Sequence, residues 1–260
     1  MTPFYLFAHY LKYLFIARDK HSVHSPFVFN FYTNHLKAFD DKLAFETIER
    51  LRKSLKKNTT RINVTDFGAG SRLTKSSSRT IASIASGAEK NPSIARMIYR
   101  IVKFQQPNVI LDLGTSLGLT TLYQSKAMPK AMLYSFEGCP AIAAIAAENF
   151  KAETRAPIHQ VIGNIDETLP RVLSTVTKVD FVFFDANHRY EPTVRYFHQC
   201  LLKANEDSIF VFDDIYWSPE MKAAWNTIKA DPSVGISIDL FYIGIIFFRK
   251  KQPPQHFTLR

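Results

Sequence analysis

Acidic residues of this chain recur in or just after apolar, β-rich runs. Asp112 lies within Val109 to Leu113, and Glu137 follows Ala131 to Phe136. Asp185 follows Val179 to Phe184, and the pair Asp213-Asp214 follows Ser208 to Phe212. Gly163-Asn164 closes a further run, Ile158 to Ile162. One acid at a strand end is ordinary. Several converging on one sheet edge repel one another unless a cation or hydrogen-bond donors satisfy them. That arrangement favours a ligand site. His188 follows Asp185 by three residues and is the side chain best suited to take a proton near neutrality.

The elements that must carry these residues alternate. Asn91-Pro92 predicts a helix start, and Ile94, Met97, Ile98, Ile101 and Phe104 recur at helical spacing. The apolar runs are continuous rather than alternating, as in strands buried on both faces. Helical segments are expected over Pro140 to Phe150, from Asp166, over Glu191 to Lys203 and over Pro219 to Lys229. Ile236 to Phe241 and Ile245 to Arg249 predict a closing hairpin that turns at Gly244. Strand–helix alternation of this kind gives an α/β fold, a parallel sheet with helices on both faces and right-handed crossovers.

After Leu113 the chain bends through Gly114-Thr115-Ser116-Leu117-Gly118 into a helix-compatible run. Glycines let such a turn approach a ligand closely, and the free amides of the following helix favour an anion. The dinucleotide fingerprint needs a glycine where Ser116 stands, so a nicotinamide cofactor is disfavoured. The pattern Asp112-x-Gly114-x-x-x-Gly118 instead resembles the first motif of class I S-adenosylmethionine-dependent methyltransferases. Glu137-Gly138-Cys-Pro140 resembles their second motif, and Gly163-Asn164-Ile165-Asp166 the region bordering the adenine. The resemblance covers roughly Asn91 to Arg249. It implies a Rossmann-like seven-stranded sheet, mostly parallel, with a reversed final strand. It also implies S-adenosylmethionine as cofactor. Asp112, Gly114, Thr115, Ser116 and Gly118 would lie at its amino-acid end, Glu137 and Gly138 at the ribose, Asn164 and Ile165 at the adenine, and Asp185 near the methyl group. Asp166 is expected to cap the next helix.

Asp180-Phe-Val-Phe-Phe-Asp-Ala-Asn-His188, with Phe210-Val-Phe-Asp-Asp214, resembles the cation-dependent O-methyltransferases of the catechol and caffeoyl-CoA type. That resemblance implies Asp185, Asp213 and Asp214 as ligands of a divalent cation, Mg²⁺ or Mn²⁺, with Asp185 and His188 as the catalytic pair. Asp214 stands where that group has asparagine, and His188 where it has lysine. A strict metal requirement is therefore not expected. The function expected is O-methylation of a small-molecule acceptor. A nucleic-acid or protein methyltransferase and a non-catalytic cofactor-binding module are the rivals. The absence of an Asn/Asp-Pro-Pro-Tyr/Phe motif after Asp185 counts against the first rival.

The chain has 260 residues, 46% hydrophobic, and a formal net charge of +10. Its basic residues are scattered, which does not suit a nucleic-acid patch. Two cysteines, Cys139 and Cys200, suit a reducing cytoplasm. Residues 1–90 are expected to form a helical extension with a mobile loop, and 91–260 the methyltransferase domain. Thr2 to Ala17 is aromatic-rich but too short to span a bilayer, and a signal peptide is not expected. Weak membrane-surface contact and homodimerisation are left open. His21 and His24 flank a predicted turn at Ser25-Pro26, with packing favoured over a substrate role. Asp66-Phe-Gly-Ala-Gly70 imitates a glycine loop, but the polar run after it reads as a turn and loop, either a lid over the site or a plain solvated segment.

Overall fold

The computed structural model describes residues 3–19, 22–38, 42–65, 78–250 and 253–260. Its first part is helical: α1 (Pro3–Ile16), then α2 (Pro26–Phe31) running into a π-helical turn at Tyr32–Leu36. A 3-10 turn at Lys42–Phe45 leads into α3 (Glu46–Leu55). Ser25 is extended before Pro26, and its hydroxyl accepts a hydrogen bond from the Val28 amide, capping α2. Two short strands, β1 (Arg61–Asn63) and β2 (Ser78–Thr80), pair antiparallel and lead into α4 (Ile81–Gly87). His21 and the Asp66 to Gly70 segment lie outside the described residues.

From α5 (Pro92–Gln105) the chain alternates. Asn91 caps α5 by accepting from the Ser93 amide. There follow β3 (Val109–Leu113), α6 (Leu119–Ala127), β4 (Met132–Glu137), α7 (Pro140–Glu153), β5 (Ile158–Ile162) and α8 (Ile165–Thr175). Then come β6 (Phe181–Phe184), α9 (Tyr190–Leu201), β7 (Ile209–Asp213), α10 (Pro219–Lys229), β8 (Ile236–Asp239), β9 (Ile243–Phe247) and β10 (Gln255–Thr258). The large sheet has the order β10-β8-β9-β7-β6-β3-β4-β5. Within it β9 runs antiparallel to both its neighbours, β7 and β8. The chain reverses direction across the sheet between β3 and β6, and that crevice is where α/β sheets bind ligands.

Both faces of the sheet are buried, and successive side chains divide between them. Ile110, Phe181, Phe183, Ile209 and Val211 pack in one core with Val28 and Phe31 of α2. Leu111, Leu113, Val182, Phe184, Phe210 and Phe212 pack in the other, beneath α8, α9 and α10. A third cluster joins Ile48 and Leu55 of α3 and Ile81 and Ile84 of α4 to Leu117, Leu119 and Ile142. The helical extension thus shares apolar core with the sheet's own helices.

Two expectations are corrected. The sheet has eight strands rather than seven, because β10 adds parallel to the edge of β8 and Phe257 joins the first core. A run as short and polar as Gln255–Thr258 carries no strand signal of its own; the open edge of β8 recruits it. Gly244 is not the hairpin turn. It sits inside β9 opposite Asp239 and Phe212, and a Cβ there would lie 2.7 Å from the Trp225 ring. The turn is Leu240 to Tyr242, with Phe241 in the left-handed region at φ 69°.

Candidate active site

Register places the site. Leu113 pairs with Phe136 on one side and Phe184 on the other, and Phe184 pairs with Phe212. The next residue of each strand is therefore at one level along the carboxyl edge: Gly114, Glu137, Asp185 and Asp213. Four separated stretches of sequence meet there because four hydrophobic strands stop in step.

The turn after β3 is tightly held. The amides of Gly114 and Thr115 both donate to the Phe136 carbonyl, at 3.1 and 2.9 Å. Gly114 has φ 116°, and a Cβ on it would come 2.3 Å from the Asp185 carbonyl oxygen. Only glycine permits this approach of the β3 turn to the end of β6. The Thr115 hydroxyl bonds that of Ser135 at 2.6 Å. The Ser116 amide donates to a Glu137 carboxylate oxygen at 2.9 Å, and the Cys139 amide to the other at 2.8 Å. The Leu117 amide donates to Glu89 at 2.8 Å. Two carboxylates, Glu89 and Glu137, therefore border the loop. Burial pushes both carboxyls up, against the pull of these backbone amides.

Asp112 lies within β3, one residue before its end. It is fully buried, and its oxygens accept from Thr121, Ser135 at 3.1 Å and Gln124 at 2.9 Å. Burial pushes its carboxyl up to about 6, although those three donors oppose the shift. These bonds tie α6 to β3 and β4. Asn164, rather than Asp166, caps α8. Its side chain accepts from the Asp166 amide at 3.1 Å, whereas Asp166 binds Arg195 at 2.7 Å and Tyr196 on α9. Ile165 begins α8 and packs partly buried against the second core. Gly138 stands between Glu137 and Cys139, at the end of β4. His24 is exposed.

A second part of the site is built at the ends of β6 and β7. Asn187 and His188 both take left-handed conformations, φ 68° and 50°, and so does Asp214 at 54°. Non-glycine residues held this way cost of order 1 kcal/mol or more each and gather at functional sites. The Asn187-His188 turn brings His188 Nε2 to 3.5 Å from Asp185 Oδ1. Burial lowers the His188 pKa to about 4, despite the opposing charge of Asp213, so the imidazole is neutral at pH 7.

Asp185, His188 and Asp213 present ligand atoms within 4.8 Å of one another. Among the described residues this is the group spaced to hold a metal, and it differs from the expected trio in having His188 instead of Asp214. Lys90 enters the same space. Its ammonium is 2.9 Å from Asp185 Oδ1 and in direct contact with Asp213 Oδ2. Burial works against its charge, but Asp185, Asp213 and Asp214 outweigh that and hold its pKa well above the ordinary lysine value. A divalent ion on these oxygens would meet this ammonium unless Lys90 withdrew. The sequence reading missed Glu89 and Lys90. Their only signal is an adjacent acid and base directly before the Asn91-Pro92 helix start.

Residues 111–215 match the family model described as a methyltransferase domain. The matched segment begins in β3 and ends just beyond Asp213 and Asp214, so it spans the site's strand ends. A catechol O-methyltransferase of Niastella koreensis is 26% identical over 128 residues, 48% of this chain and 57% of that protein. An uncharacterised protein of Acanthamoeba polyphaga mimivirus is 34% identical over 74 residues, 27% of this chain and 34% of that one. The chain thus spans about a third and just over half of the lengths of these two relatives. An O-methyltransferase from Bacillus cereus, solved with S-adenosylhomocysteine, superposes with TM-score 0.56 at 14% identity, over 84% of this chain and 96% of that one. At that identity the likeness establishes the fold alone. No helix among the described residues is long and apolar enough to cross a membrane.

Proposed function

We propose that the protein transfers a methyl group from S-adenosylmethionine to an oxygen of a small-molecule acceptor. The observation that carries this reading is the common level of Gly114, Glu137, Asp185 and Asp213 at the carboxyl edge of adjacent strands. It sets a glycine turn and a ribose-type carboxylate directly beside a base and a charged cluster.

The residues suit the cofactor. An ionised carboxylate has about four acceptor positions, and Glu137 uses some of them on backbone amides, leaving capacity for ribose hydroxyls. Glu89 and Glu137 are half-buried carboxyls around one loop, an environment that favours a cationic ligand. S-adenosylmethionine carries a sulfonium and an ammonium and supplies an electrophilic methyl group when bound. On the acceptor side, His188 is neutral and able to take the proton of a hydroxyl. Asp185 stands beside it to orient the ring.

We assign residues 1–90 to the acceptor side of the site and 91–260 to the methyltransferase domain proper. We place the protein in the cytoplasm, where thiols such as the buried, unpaired Cys139 and Cys200 stay reduced. The test is transfer of labelled methyl from S-adenosylmethionine to a panel of phenols, catechols and aliphatic alcohols, beside DNA, RNA and protein. Label in a hydroxylated small molecule supports the reading. Label only in a macromolecule, or in nothing, contradicts it.

A further inference from the structure

We propose that Lys90 is the built-in cation of the acceptor site, its ammonium taking the place between Asp185 and Asp213 that a divalent metal would otherwise fill. The inference rests on the methyltransferase reading for its chemistry, and on geometry for its substance.

Lys90 touches both carboxylates that a metal would need. Magnesium holds oxygen ligands at about 2.0–2.1 Å and calcium at about 2.3–2.6 Å. An ion at such distances from Asp185 Oδ1 and Asp213 Oδ2 would share the gap with the ammonium, charge against like charge. The ammonium is no surface side chain passing by. The side chains of Lys90, Asp185 and Asp213 are only 13%, 11% and 2% exposed. Buried acids need a counter-charge, and the chain supplies its own.

Fixing that lysine has a structural basis. Lys90 directly precedes the cap of α5, whose buried face packs Ile98 and Ile101 into the first core. Its neighbour Glu89 is tied to the Leu117 amide of the glycine turn. One short segment before α5 thus anchors to the cofactor loop with one residue and neutralises the acceptor site with the next. A lysine is a compact point charge with rotatable donors. It can balance two carboxylates without imposing the geometry that lets a metal chelate two vicinal hydroxyls. The acceptor class this favours is a molecule with a single reacting hydroxyl, with no need for a catechol pair. Lys90 is then a positioning and specificity-determining residue of the proposed reaction.

The test is Mn²⁺ binding to the full chain, followed by electron paramagnetic resonance, for the parent, Lys90→Met, Lys90→Arg and the double variant Lys90→Met with Asp213→Asn. S-adenosylhomocysteine binding is measured on each, so that failure of the methyltransferase reading registers separately from failure of this one. Lys90→Met should gain one Mn²⁺ site, at least about 100-fold tighter than any in the parent, from removal of a like charge at contact distance. Lys90→Arg should exclude the ion as the parent does, and the double variant should lose the gained site. Parent enzyme that binds Mn²⁺ as tightly as Lys90→Met overturns the proposal. So does a folded Lys90→Met that gains no site. If Lys90→Met does not fold, the parent decides: full methyl transfer in excess EDTA supports the proposal, and loss of transfer restored by Mn²⁺ or Mg²⁺ overturns it.

Discussion

The Glu137 carboxylate accepts the Ser116 amide at 2.9 Å, so the acid that closes β4 also fixes the turn that follows β3. Its second oxygen accepts from Cys139 at the start of α7. One side chain thereby sets the two backbone segments between which a nucleoside would lie.

Replacing it should therefore weaken the cofactor twice over, by losing acceptors and by loosening the loop. Glu137→Ala is expected to lower S-adenosylhomocysteine affinity by roughly 1–3 kcal/mol, the worth of charge-assisted hydrogen bonds. Titration calorimetry reads this directly. Undiminished affinity would mean that the ribose lies elsewhere.

Asp112 gives a prediction about stability rather than binding. The folded chain keeps a proton on this acid up to about pH 6, whereas the ordinary value of the free acid is 3.8. Between those values the folded state binds more protons than the unfolded one, so this group's contribution to stability falls as pH rises through the window. Urea denaturation of the parent and of Asp112→Asn from pH 4 to 7 should differ in slope over that range. The parent should lose the advantage with rising pH that the variant does not. Parallel curves would show that Asp112 is not buried as described.

His188 sets the acid side of the reaction's pH profile. With its pKa lowered to about 4 by burial, it is neutral and competent as a base across the neutral range. The rate should fall only as pH drops through about 4, not near 6.5. His188→Ala should reduce kcat by about 10²-fold or more, the usual worth of a positioned base, while S-adenosylhomocysteine binds as before. A limb near 6.5 would indicate a solvated imidazole, and an unimpaired His188→Ala enzyme would remove the base altogether.

What the sequence disclosed follows the range of the forces involved. β3, β5 and α10 have the bounds that apolar runs and helix-start signals predict, because those signals are local. The strand-end residues Glu137, Asp185 and Asp213 were legible for the same reason: each ends a hydrophobic run, and register does the rest. The burial of Asp112 is not legible in this way, because it depends on Thr121 and Gln124 facing inward from α6, a matter of packing. Asn164 and Asp166 are two residues apart, both able to cap, and the tie from Asp166 to α9 decides between them. Lys90 was invisible because its partner Asp213 is 123 positions away. No spacing rule reaches that far. The eighth strand, likewise, exists only because β8 leaves an edge for it.

The central claim is that this edge of the sheet binds S-adenosylmethionine. Titration calorimetry of the full chain with S-adenosylhomocysteine, and separately with NAD, addresses it most directly. The account predicts one saturable site for S-adenosylhomocysteine, weakened in Glu137→Ala, and no heat of binding with NAD. Micromolar binding of NAD with none of S-adenosylhomocysteine would contradict it.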